Sequence, residues 1–225
     1  MVRLVLFDID GTLVHTGGAG VKAFTRTLAT EFNAPDGVER VRFGGRTDLN
    51  LVRELFGFHG IAPTPENFRR FFERYVFWLD HILADSPGGR CAGVPEFLEA
   101  LRTLPHPPRC GLLTGNIRLG AEIKLRRHRL WETFETGGFA DDGEDRNQIA
   151  VAARERGRRL LGGRLRDDEI LVVGDTPHDI RCGKFIGARV LAVATGGAGL
   201  EELKNHRPDW AVEDLRRTSA KEICG

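Results

Sequence analysis

The stretch LVLFDIDGTL, residues 4–13, drives four apolar residues into two aspartates one residue apart, Asp8 and Asp10, and then into Gly11. A short apolar run that ends in charge and glycine suits a strand buried on both faces better than a helix. Two later runs end in the same manner: CGLL stops at Thr114, and ILVV stops at Gly174 and Asp175. In an open parallel sheet these ends lie along one edge, and the crevice outside the carboxyl ends of the strands is where such sheets bind ligands. The paired aspartates are thus expected at the mouth of a crevice, outside the core.

Working outward, the chain after residue 90 alternates short β-branched runs with amphipathic segments. Helices are expected near Val94 to Leu104, Ile117 to His128, Asn147 to Leu161, Pro177 to Ile186 and Leu200 to His206, with a last short strand near Trp210. The alternation predicts an α/β fold, a Rossmann-like parallel sheet covered on both faces. Between about residues 15 and 90 no convincing strand appears and the apolar spacing is helical. Val21, Phe24 and Leu28 mark one face. Leu51, Leu55 and Phe56 mark a second helix with Thr47 as its N-cap, and Phe68, Phe71, Phe72, Tyr75, Val76, Leu79 and Ile82 mark a third. A helical module spanning 16–87 therefore interrupts a core of residues 1–15 and 88–225, with glycine-bearing hinges at HTGGAG and DSPGGR.

Lys and Arg number 33 against 32 Asp and Glu, a net charge of +1, so no field implies a nucleic-acid or membrane partner. Cys91, Cys110, Cys182 and Cys224 form no CxxC pair and read as reduced thiols of a cytoplasmic protein. No uncharged apolar segment approaches the ~20 residues that a membrane span needs, and no signal-peptide pattern opens the chain. A soluble, unprocessed protein is expected, and its oligomeric state is not legible.

Asp8, Asp10, Asp175 and Asp179 gathered at one edge would repel one another, so protons or a cation must share the site. Hard oxygen ligands that leave room for water and phosphate suit Mg²⁺ better than Ca²⁺. GDTPHD equally has the form of a helix start, with Thr176 as cap and Pro177 in the first position.

Together these motifs form a resemblance. DIDGTL resembles the first signature of the haloacid dehalogenase superfamily, LLTGN its second and VVGDTPHDI its fourth, in the right order, and the helical module resembles its mobile cap. Within the superfamily the chain looks most like the phosphoglycolate phosphatase and β-phosphoglucomutase branch. The resemblance implies that Asp8 attacks phosphorus and that Asp10 is general acid and then base. It further implies that the Asp10 carbonyl and Asp175 bind Mg²⁺ and that Asp179 supports the metal shell directly or through water. Thr114 with the backbone N–H groups of Gly115 and Asn116 would hold phosphate oxygens, and Gly11 would let backbone and phosphate approach.

The superfamily's third signature is usually a lysine. The corresponding region here, DDGEDRNQIA, has none, and Arg146 is the natural substitute, a permanent charge with a planar donor set. The alternative is a surface arginine paired with Glu144 or Asp145. Lys124 and Lys184 are weaker candidates, because they follow the second and fourth motifs. Arg46, in FGGRTD, could lean over the site to hold a substrate carboxylate or second phosphate. His15 and Thr16 could face substrate, and His178 receives no role.

No GxSxG, P-loop, HExxH or GxGxxG pattern appears. A dehalogenase would not need Asp10, since halide leaves without a proton, so the expected activity is Mg²⁺-dependent hydrolysis of a small phosphorylated metabolite, phosphoglycolate being one possibility. A phosphosugar mutase and a non-catalytic binding protein retaining the fold are the alternatives.

Overall fold

The computed structural model describes residues 1–225. Six parallel strands form the main sheet: β1 (Leu4–Phe7), β4 (Arg109–Leu113), β5 (Thr136–Gly138), β6 (Ile170–Gly174), β7 (Arg189–Val193) and β8 (Trp210–Val212), in the order β5-β4-β1-β6-β7-β8. The chain moves outward from β1 to β5 and then crosses back to β6. The strand order therefore reverses beside β1, and a crevice opens at such a switch point.

Strands β1 and β6 read as unbroken apolar runs because alternate residues serve different cores. Val5 and Phe7, with Leu171 and Val173, face a cluster completed by α4 (Val94–Arg102), α5 (Arg118–Arg127) and α9 (Ala220–Cys224). Leu4 and Leu6, with Ile170 and Val172, face the opposite cluster, under α6 (Arg146–Leu160), α7 (Pro177–Phe185) and α8 (Leu200–Asn205). Period-two side chains and burial on both faces leave no polar position in β1 until its carboxyl end.

A two-stranded antiparallel ribbon, β2 (Val14–His15) with β3 (Gly89–Arg90), lies where the chain leaves and re-enters the core. Between these strands run α1 (Ala19–Phe32), α2 (Asp48–Phe58) and α3 (Pro65–Asp85), which pack about their own apolar cluster. Phe24, Phe56, Phe71 and Tyr75 are fully buried there, with edge-to-face contacts between Phe24 and both Phe71 and Tyr75. Each such side chain contributes roughly 1.5–3 kcal/mol, which outweighs exposed ion pairs such as Arg69 with Glu66. Thr47 caps α2 by accepting from the Asn50 N–H at 3.3 Å. The insert rests on the core along α5, where Gly120 admits Tyr75 and Leu79.

Three details depart from the sequence expectations. Val21 is 41% exposed, because it lines a cavity mouth and leaves the α1 core positions to Ala19, Ala23, Phe24, Thr27 and Leu28. Strand β5 carries too little side chain to be read as a strand. A Cβ on Gly138 would stand 2.3 Å from the Ile149 carbonyl, so its glycine is what lets α6 settle on the sheet. Helix α9 is also unanticipated. Ser219 caps it, and Ala220, Ile223 and Cys224 bury against the α4 side of the core.

Candidate active site

Asp8 follows β1 directly and its N–H donates to the Val173 carbonyl at 2.9 Å, extending the ladder one residue past the strand. Asp175 follows β6, the neighbouring strand across the switch point, and Asp179 lies one turn into α7. Carboxylate oxygens of Asp8, Asp175 and Asp179 all lie within 4.8 Å of one another, and all three residues are buried. Asp10 stands outside this triad but lines the same cavity.

Two neighbours hold Asp175. Thr12 Oγ1 donates to its Oδ1 at 3.0 Å, and Gly11 (φ +85°) and Gly196 pack so closely that a Cβ on Gly196 would fall 1.6 Å from Asp175 Oδ2. Asp179 is wholly engaged: Oδ2 accepts from the Thr176 N–H at 3.0 Å and hydroxyl at 2.6 Å, and Oδ1 accepts from Arg146. That saturation suits Asp179 to supporting a metal shell and leaves Asp8 and Asp175 with open oxygens.

Arg146 is the first residue of α6, which Asp145 caps, and only 7% of it is exposed. Its guanidinium bonds Asp179 and lies 3.5 Å from Asp8 Oδ1. The surface alternative is not what is seen, since Glu144 pairs instead with Arg53. Burial opposes the Arg146 charge, but Asp179 and Asp8 outweigh it and raise its pKa. One guanidinium does not balance three carboxylates. Burial, then Asp179, pushes Asp8 up to about 7 against the pull of Arg146. Burial, Asp179 and Asp8 push Asp175 up to about 8 against Thr12 and Arg146. An all-oxygen cluster with this excess of negative charge fits a hard divalent cation such as Mg²⁺.

The second group gathers around the loop after β4. Thr114 is fully buried and its hydroxyl accepts from Asn116 Nδ2 at 2.8 Å. The same Nδ2 donates to Asp10 Oδ2 at 2.8 Å. Lys124 Nζ donates to Asp10 Oδ2 and to Asn116 Oδ1, both at 2.6 Å. Lys124 thus belongs to the site, and Lys184 does not: it is exposed and bonds the His206 carbonyl.

From the insert, the start of α2 reaches this loop. The Asp48 N–H donates to the Gly115 carbonyl at 2.7 Å, Asp48 Oδ2 accepts from the Ile117 N–H at 2.8 Å, and a Cβ on Gly115 would stand 2.2 Å from the Arg46 carbonyl. Burial pushes Asp48 up to about 7, opposed by Lys124 and the Ile117 N–H. The Arg46 guanidinium is taken up by Asn50 Oδ1 at 3.0 Å and Glu54 at 2.5 Å. The cavity between core and insert measures about 360 Å³ and takes in Asp8, Asp10, Thr114, Lys124, Arg146 and Asp175 from the core, with Val21, Phe24, Arg46, Asp48 and Tyr75 from the insert. His15 and Thr16 also line it, while His178 lies apart beside Arg181.

Sequence reasoning missed Thr12 and Asp48 and undervalued Lys124. Only Lys124 left a signal: it shares a helix face with Ala121 and Leu125, both fully buried, where a charge has no place without partners.

An acid-lined crevice at the switch point of a Rossmann-like sheet, roofed by an inserted helical bundle, describes a class of hydrolases. The chain belongs to the haloacid dehalogenase-like hydrolases, whose family model matches residues 5–193. Among relatives, the pyrophosphatase PpaX of Anoxybacillus flavithermus is 26% identical over 215 residues, covering 95% of this chain and 94% of the relative. The HAD hydrolase, family IA, variant 3, of Entamoeba histolytica superposes with a TM-score of 0.77 at 18% identity, over 100% of this chain and 98% of that one. A predicted phosphoglycolate phosphatase of Haemophilus somnus superposes with a TM-score of 0.74 at 19% identity, again over 100% and 98%. These two likenesses bear on the fold alone.

Proposed function

We propose that this hydrolase is a cytoplasmic, Mg²⁺-dependent phosphatase of a small phosphate monoester, acting through an aspartyl-phosphate on Asp8. The observation that carries the reading is the buried triad of Asp8, Asp175 and Asp179 with Arg146 beside it, at the carboxyl ends of β1 and β6. The pyrophosphatase name of the Anoxybacillus flavithermus relative supports the broader class, hydrolysis of a phosphate bond.

Asp8, Asp175 and the backbone carbonyl of Asp10 would hold Mg²⁺, with Asp179 behind them, and the ion supplies charge neutralisation for phosphate and nucleophile. An Asp8 carboxylate oxygen attacks phosphorus. The bond from phosphorus to the leaving oxygen breaks, and that oxygen takes the proton of the Asp10 carboxyl. Asp10, now a carboxylate, accepts a proton from water as the water attacks the aspartyl-phosphate, releasing phosphate and restoring Asp8. Thr114 and the N–H groups of Gly115 and Asn116 cradle phosphate oxygens, Gly11 gives them backbone access, and Arg146 neutralises charge in place of the usual lysine. Residues 16–87 act as a cap, and their closure excludes water and completes the pocket.

Phosphoglycolate would need Arg46 as its carboxylate partner. That guanidinium is already bonded to Asn50 and Glu54, so the proposal extends to a substrate class, a small phosphorylated metabolite. The test is phosphate release from p-nitrophenyl phosphate and a panel of phosphorylated metabolites, with and without Mg²⁺. Metal-dependent release that disappears in Asp8→Asn is expected. Isomerised sugar phosphate without free phosphate would indicate a mutase, and silence across the panel would leave a binding protein.

A further inference from the structure

We propose that Lys124 is the positioning residue of Asp10, holding one carboxylate oxygen so that the other faces the ester oxygen of the substrate. This rests on the reading of Asp10 as general acid and base. Lys124 is 4% exposed, on the inner face of α5, where an ammonium requires partners. Its two bonds close a ring: Nζ donates to Asp10 Oδ2 and to Asn116 Oδ1, and Asn116 Nδ2 donates back to Asp10 Oδ2 and onward to Thr114 Oγ1.

The ring has two consequences. It sets the Asn116 amide one way round, with oxygen toward Lys124 and nitrogen toward Asp10 and Thr114. It also places both donors on Oδ2 of Asp10, while no bond in the structure reaches Oδ1. The Asp10 side chain is 42% exposed and lines the cavity, so Oδ1 is the oxygen left to exchange a proton with a ligand there. A carboxyl held by a single amide could turn about its terminal torsion, which is broad and roughly two-fold, and exchange its oxygens. Lys124 removes that freedom. It also links the acid to the Thr114 loop expected to hold phosphate, so the proton and the phosphoryl group are registered to one another.

The proton is needed only where the leaving oxygen is basic. When the ester bond of an alkyl phosphate breaks, the departing electron pair must be met by the Asp10 proton, whereas p-nitrophenolate leaves without one. The experiment therefore compares kcat/KM for glycerol 3-phosphate, or the best alkyl phosphate of the screen, with that for p-nitrophenyl phosphate. Because kcat/KM reports only steps through aspartyl-phosphate formation, the shared water step does not enter. In Lys124→Met the alkyl-to-aryl ratio should fall about 10²-fold, the lower end of what general acid catalysis contributes, and Lys124→Arg should recover much of it.

The ratio is independent of the active fraction, so a partly folded preparation still decides, and Lys124→Gln serves where the methionine variant does not fold. Asp10→Asn is the benchmark. If it lowers the ratio while the Lys124 variants lower both activities equally, Lys124 is structural and the proposal is overturned. If Asp10→Asn leaves the ratio unchanged, Asp10 is not the acid and both readings fall together. A wild-type enzyme silent on both substrates refutes the phosphatase itself.

Discussion

Arg146→Met removes the guanidinium that bonds Asp179 and lies 3.5 Å from Asp8, and leaves three buried carboxylates within 4.8 Å of one another. Arg146 is 7% exposed and Asp179 is completely buried, so water cannot take over the lost interaction. Removing one partner of a buried ion pair costs about 3–5 kcal/mol, because the remaining charge keeps its desolvation penalty without compensation. In a chain of this size each kcal/mol lowers Tm by about 2–4 °C, so the variant should melt roughly 6–20 °C below wild type in EDTA. Saturating Mg²⁺ should return part of that loss, since the cation supplies positive charge to the same oxygens. Arg146→Lys, which keeps a charge, should lie between the two. Hydrolysis of p-nitrophenyl phosphate by the methionine variant should drop by about 10²–10³ in kcat, the scale of losing one preorganised electrostatic partner. Circular-dichroism melts in EDTA and in Mg²⁺, beside steady-state rates, measure all three. A loss under about 1 kcal/mol, on the scale of an exposed pair, combined with unchanged hydrolysis, would refute the placement of this side chain at the heart of the site.

Acidity offers a second check on the same cluster. Without metal, folded Asp8 titrates near 7 and Asp175 near 8, both raised above the unfolded value of about 3.9. The folded chain then binds more protons than the unfolded one, so their contribution is fully present below about pH 4 and is lost as pH rises through 7 and 8. Half-buried His128 and His178, lowered by partial desolvation, act in the opposite sense only near and below about pH 6.5. Urea melts in EDTA should therefore show stability falling on the order of 2 kcal/mol between pH 7 and 8.5, with Mg²⁺ flattening the trend. Greater metal-free stability at pH 8.5 would contradict the assignment. Finally, Gly196→Ala places a methyl where Asp175 Oδ2 now sits. It should weaken Mg²⁺ activation at least about tenfold, a loss of roughly 1.4 kcal/mol, in a folded protein, and an unchanged activation constant would show that Asp175 is not a ligand.

Much of the site was legible wherever function coincides with the end of a regular element. Asp8 and Asp175 announce themselves because an apolar run cannot continue through a carboxylate, and Thr47 because a cap residue precedes a helical pattern. Arg146 was legible only by elimination, as the nearest cation where the usual lysine is missing. Lys124 was passed over because its partner Asp10 is 114 residues away, and no local pattern reports which acceptor a buried ammonium will find. Thr12 carries no signal at all, since a threonine after a glycine turn is ordinary until Asp175 is folded against it. For Arg46 the position beside the cavity was readable, but its engagement by Asn50 and Glu54 depends on how α2 presents one turn of side chains.

The sequence by itself determined the alternation of strands and helices, the helical insert after the first strand, and the edge where the aspartates collect. These follow from periodicity and from the cost of burying charge, both local to the chain. Tertiary structure alone decided how the acidic residues divide. Asp8, Asp175 and Asp179 share one cluster with Arg146, while Asp10, two residues from Asp8, turns to Lys124 and Asn116. Residues two apart in the chain meet different partners, and which charges they meet is set by elements folded in from a hundred residues away.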